Sequence, residues 1–140
     1  MRKIIVLIIS VMLFTSCSGM QRRLNDDSAI SFAKKIRAAQ IEFENRHGKK
    51  KYGSLEDLIN ENLLSAELAD GVDDGYEFRL KVENEKYSLQ AVPLNYGTEN
   101  SEGNFTLYLD ESGVIRSESG KDKNWKPKIA NSDSIPISEQ

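Results

Sequence analysis

The only thiol of this 140-residue chain is Cys17 and the only imidazole is His47. One of each leaves too few soft ligands for a structural zinc site and no pair for Cys–His nucleophilic catalysis. His47 sits among Arg46, Lys49, Lys50 and Lys51, where it reads as part of a surface charge cluster. A serine activated by lysine is formally open, but no spacing supports it. The oxygen ligands are the next resource. Asp70, Asp73 and Asp74, interleaved with Gly71 and Gly75, gather carboxylates on a turn of the kind that a hard cation such as calcium favours. The spacing is not that of an EF-hand loop, and Asp and Gly are also what any tight turn selects. Asp110 and Glu111 form a second, smaller acidic pair. Tyr96, in "PLNYG", lies on a loop where an aromatic side chain serves either as a partner contact or as a lid over the sheet edge. The residues therefore point to a non-catalytic protein with no resident cofactor, calcium at Asp70, Asp73 and Asp74 being the one ion they admit.

Where Cys17 sits matters more than its reactivity. Arg2 and Lys3 are followed by the apolar run "IIVLIISVMLF" from Ile4 to Phe14, then Thr15 and Ser16. A basic start, a short apolar stretch and small residues at a cut form the layout of an export signal over residues 1–16. Eleven residues make only about 16 Å of helix against a hydrocarbon core of roughly 30 Å, so a permanent span is the weaker reading. The stretch Leu13-Phe14-Thr15-Ser16-Cys17 resembles the lipobox of bacterial lipoproteins, with Phe14 where leucine is usual. That resemblance implies cleavage before Cys17 and lipidation of its sulfur, with acyl chains such as palmitate. Two or three chains at about 0.8 kcal/mol per buried methylene anchor a protein stably. A thiol consumed by lipid leaves no disulfide. Ser18 rather than aspartate after the cysteine implies, by the same resemblance, passage to the outer membrane facing the periplasm if the cell has one.

Without residues 1–16 the chain keeps 17 basic against 22 acidic residues, for a net charge of −5. An acidic chain with scattered lysines lacks the basic footprint of a nucleic-acid binder. The expected partners are the membrane, through acyl chains, and another envelope protein. The lysine run Lys49–Lys51 reads as loop solvation, with anionic headgroups as the other option.

The elements that must position these residues follow from periodicity. Residues 17–27 show no apolar period and read as a lipidated tether. From Ser28, Ala29, Phe32, Ala33, Ile36, Ala39 and Phe43 recur at spacings of three and four, which predicts a helix ending at the C-cap Gly48. Ser54 and Asp57 form a capping box for a short helix bearing Leu55, Leu58 and Ile59. Two period-two runs, Tyr76–Val82 and Tyr87–Ala91, predict a hairpin. Phe105, Leu107, Leu109 and then Val114, Ile115 predict a second one. Residues 118–140 are polar and read as a mobile tail, with Trp125 the one residue able to dock on the sheet. The expected fold is α+β: a long N-terminal helix on an antiparallel sheet of about four strands, with a domain over 28–117.

The succession "AAQIEF", "SLEDLINENLL", "GYEFRLKV", "YSLQAVPLNYG" and "FTLYLDESGVIR" resembles the globular domains of type IV pilin-like proteins, closest to major-pseudopilin-like domains of type II secretion. The resemblance implies a binding or scaffolding role in an envelope or secretion assembly. It also departs from that family, because a lipobox replaces the prepilin cleavage site and the long apolar helix that builds a filament core. The rival expectation is an enzyme or carbohydrate-binding lipoprotein using the loop 95–103.

Overall fold

A computed structural model describes residues 17–137. The expected signal segment 1–16 and the side chain of Cys17 lie outside the described residues. The domain is α+β. Helix α1 (Cys17–His47) is followed by α2 (Leu55–Asn60), a single 3-10 turn (Ala66–Leu68), and six strands: β1 (Val72–Asp73), β2 (Tyr76–Glu83), β3 (Lys86–Pro93), β4 (Thr106–Asp110), β5 (Arg116–Glu118) and β6 (Ile135–Pro136). The strands form one sheet in chain order, every neighbour antiparallel.

α1 contains 31 residues, about 46 Å of helix. The segment 18–27, expected as a tether, is helical. The reason lies in which residues are buried. The inward stripe Ala29, Phe32, Ala33, Ile36 and Ala39 continues N-terminally as Asn25 and Asp26 and C-terminally as Gln40, all three buried. These positions keep the 3.6-residue period but carry polar side chains, so a purely apolar pattern breaks off at both ends. Gly48, at φ +111°, closes the helix as expected, its N–H donating to Glu44 O at 2.8 Å.

α2 carries the predicted capping box. Asp57 N donates to Ser54 Oγ at 3.1 Å, and Ser54 N donates to Asp57 Oδ2 at 2.9 Å. The β2–β3 hairpin turns through Asn84 and Glu85, both left-handed at φ 50° and 62°, which suits the right-handed twist of the flanking strands. Alternation along β2, β3 and β4 sends Phe78, Leu89, Ala91, Leu107 and Leu109 onto α1. Phe32 meets Phe78 with ring centroids 4.0 Å apart.

The sheet has six strands rather than four: β1 lies in the segment read as a turn, and the segment expected to be a mobile tail adds β6. β5 and β6 pair through Arg116–Pro136 and Ser117–Ile135. Between them the chain crosses the face of β4 that points away from α1. There Ala130 is fully buried, its N–H donating to Thr106 Oγ1 at 2.8 Å while Gln90 Nε2 donates to Ala130 O at 3.2 Å. One alanine and a few backbone groups thus cover a face whose own polar side chains, Thr106 and Gln90, supply the partners. Trp125 does not dock on the sheet; it is 80% exposed.

Candidate functional site

The pole of the domain where α1 enters is built around a buried carboxylate. Asp26 Oδ1 accepts from the Tyr76 hydroxyl at 2.7 Å and from Asn104 N at 2.9 Å, while Oδ2 accepts from Asn104 Nδ2 at 2.6 Å. Next to it, Asn25 Nδ2 donates to Glu102 O at 2.8 Å, and Gln21 Nε2 donates to Asn25 Oδ1 at 2.9 Å. Arg22 reaches Glu99 O from the helix surface. The loop between β3 and β4 is therefore held to the first turns of α1. Gly103 is required there, since a Cβ would collide with the Tyr76 ring.

Tyr76 and Asp26 make a phenol–carboxylate pair, but one ill suited to chemistry. Tyr76 is fully buried. Burial and then the hydrogen bond and charge of Asp26 push its pKa far above the usual phenol range, so it stays neutral. Its hydroxyl also lies 2.8 Å from Phe105 O, and its one proton is shared between two acceptors. The pair is a latch.

Tyr96 turns inward. Its ring is half-buried and its hydroxyl is buried without a hydrogen bond of good geometry among the described residues. Burial raises its pKa, and the Gly120 backbone nearby only partly opposes this. The rest of the loop uses its polar groups internally: Thr98 Oγ1 donates to Asn95 O at 2.7 Å and Ser101 Oγ to Gly103 O at 2.8 Å.

The acidic cluster is a turn. Asp70 Oδ1 accepts from Val72 N at 3.0 Å, and Asp74 and Gly75, at φ 42° and 79°, form the two-residue connection of the β1–β2 hairpin. Burial, then the charge of Asp74, raises the pKa of Asp73. Among the described residues no group of three His, Cys, Asp or Glu side chains is placed to hold a metal ion. At the second acidic pair, Asp110 Oδ1 accepts from Ser112 N at 3.0 Å, and Glu111 lies 3.9 Å from Lys86. His47 stacks on Phe43 at 4.2 Å between centroids and pairs with Glu61, tying the helix end to the close of α2. Of the three lysines that follow, Lys50 lies 3.9 Å from Glu85.

Sequence reasoning missed a groove of about 590 Å³ beside α1. Ile30, Phe105, Val114, Ile115 and Ile137 give it an apolar floor, Asp27, Lys34 and Arg37 are its charged lining, and no histidine or cysteine lines it. Arg37 Nη1 donates to Gly113 O at 2.9 Å, which fixes one end. Its apolar residues belong to segments far apart in sequence, so only the folded chain shows them together. Among the described residues no helix is long and apolar enough to cross a membrane. No protein-family model matches the chain, nor does any curated protein or solved structure.

Proposed function

We propose that this is an envelope lipoprotein, held by acyl chains on Cys17, whose pilin-like or pseudopilin-like domain binds or scaffolds another envelope component without catalysing a reaction. The observation that carries the reading is the continuous helix from Cys17 to His47, docked on the domain through Asn25 and Asp26. An anchor at Cys17 would present the domain on a stiff stem in a defined orientation, which suits a positioning role. The groove between α1 and the β4–β5 turn is the surface for a partner: an apolar floor flanked by Asp27, Lys34 and Arg37 suits an apolar segment of a partner protein. The rival reading is an enzyme or carbohydrate binder using loop 95–103: residues 99–102 line a smaller cavity of about 260 Å³ against α1, but the Thr98 and Ser101 hydroxyls are spent on the loop's own backbone.

Intact mass and detergent partitioning test the anchor, with acylated Cys17 and a membrane-bound protein expected. A Cys17→Ser protein that partitions with membranes at the wild-type level contradicts it. A photo-crosslinker at Val114 tests the groove in intact cells: capture of an envelope protein is expected, and no adduct there alongside capture from loop 95–103 favours the rival.

A further inference from the structure

The segment 120–128, "GKDKNWKPK", is a built hairpin. Lys121 and Pro127 pair, Lys128 N donates to Gly120 O at 3.0 Å, and Asp122 N donates to Lys126 O at 2.7 Å. Asp122 Oδ1 accepts from Asn124 N at 2.8 Å and from Lys126 N at 3.0 Å, so the one carboxylate of the hairpin is turned onto its own backbone. The tip residue Trp125 adopts φ 62° and is 80% exposed, with Lys121 Nζ 6.0 Å from its ring. Four lysines and one exposed tryptophan in nine residues form a cationic, aromatic projection on a chain whose net charge is −3.

Its place in the fold matters as much as its composition. β5 ends level with the start of β4, since Thr106 pairs with Glu118. Two residues earlier, Asn104 binds Asp26 of α1. Pro127 packs on Gly97, where any Cβ would strike it, so the hairpin rests on the loop that α1 also grips. The hairpin and the Cys17 end of α1 therefore leave the domain at the same pole. From Asp26 back to Cys17 is about 14 Å of helix, and the arm from Glu118 to the tip can reach about as far. Lys128 lies 3.9 Å from Glu118, and Asp73 and Asp74 of the β1–β2 turn sit at the same end of the sheet, so the positive charge offered to a surface is local to Lys121, Lys123 and Lys126 of the hairpin rather than spread over the pole.

We infer that the 120–128 hairpin is a membrane-contacting element: Trp125 seats at the headgroup level of an anionic bilayer while Lys121, Lys123 and Lys126 face its phosphates. Tryptophan prefers that interface, and lysines near an anionic surface gain roughly fivefold in partition each. The inference rests on the anchor reading for its choice of surface, and it gives the anchored domain a second point of contact that fixes its rotation about α1.

Trp125 is the only tryptophan in the chain, so its fluorescence reads the hairpin alone. The acylated protein would be reconstituted into phosphatidylcholine vesicles with and without phosphatidylglycerol, and emission, acrylamide quenching and quenching by brominated lipid recorded. Expected are a blue shift and lipid quenching that need the anionic lipid, and a drop on the order of 100-fold in the inserted-to-free ratio when Lys121, Lys123 and Lys126 are all changed to Gln. Water-like, fully quenchable Trp125 in both vesicles overturns the inference. Flotation of the same samples separates the two claims. Protein that does not float with neutral vesicles removes the anchor; a Trp125 shift on adding anionic vesicles then still upholds the hairpin, and no shift overturns it.

Discussion

α1 is gripped at two places by polar residues buried in its inward stripe, and the two grips differ in reach and in charge. Gln40 is a neutral amide that satisfies itself on one neighbour: Nε2 donates to Gly53 O at 2.7 Å and Oε1 accepts from Gly53 N at 2.9 Å. Asp26 is a carboxylate with three donors from Tyr76 and Asn104, 50 and 78 residues away. Closing a loop of that length rather than the 13 residues of the Gln40 contact costs about 1.6 kcal/mol more in chain entropy at the longest separation. The Gln40 grip can form early and locally. The Asp26 grip exists only when the sheet is assembled, so the stem next to Cys17 is ordered only while the whole domain is.

The comparison can be broken most severely at Asp26. Asp26→Ala orphans buried donors on Tyr76 and Asn104 and is expected to cost about 3 kcal/mol or more in urea-induced unfolding. A loss under about 1 kcal/mol would place that carboxylate in water. At the other grip, Gln40→Ala leaves the N–H and C=O of Gly53 without partners and should cost about 2 kcal/mol. Because the side chain is neutral, circular dichroism melts should show that cost unchanged between pH 5 and 9.

Tyr76→Phe removes one donor from Asp26 and should cost about 1.5 kcal/mol near neutral pH. Its pH signature is more telling. The folded-state pKa of Tyr76 lies above its ordinary value of 10.0, so the folded protein holds the proton more tightly than the unfolded chain. That contribution is fully present below pH 10 and is lost as pH climbs above it. Tyr87, raised chiefly by burial, acts in the same window. Chemical denaturation between pH 8 and 11 should show stability falling above pH 10 in the wild type and falling less in Tyr76→Phe. An equal fall in both would separate Tyr76 from the latch.

Smaller effects mark the edges of the comparison. Ser54→Ala breaks the α2 capping box beside Gly53 and should cost about 1 kcal/mol by thermal melt. Trp125→Ala should change stability by less than about 0.5 kcal/mol, since the ring touches little of the fold. A larger loss would mean that the hairpin props the domain rather than faces outward.

Much of this architecture was legible because apolar period and local turn chemistry agree: the Phe32–Ile36 stripe, the Ser54–Asp57 box and the Phe78–Leu89–Leu107 alternation. What stayed hidden was polar burial. Asn25, Asp26 and Gln40 keep the helical period, but a reading of apolar side chains stops at Ala29, leaving the stem as a tether. The last strand, β6, was missed for a related reason. Ile135 and Pro136 are exposed, and Thr106 and Gln90 hold Ala130 through hydrogen bonds, which leave no apolar pattern in residues 118–137. Of the candidate site, the Asp70–Asp74 turn could be read from residue type. The groove and the shared pole of Trp125 and Cys17 depend on contacts between segments 70 or more residues apart and had no local signal.

Native-state hydrogen exchange over α1 tests the central claim, that the residues after Cys17 are a stem integral to the domain. The account predicts that the amides of Asn25–Ser28 exchange slowly, within the range of those from Phe32 to Ile36, and that Asp26→Ala speeds the first group while leaving the amides near Gln40 protected. Exchange of residues 25–28 at the rate of an unstructured chain in the wild-type protein would contradict it and restore a tether.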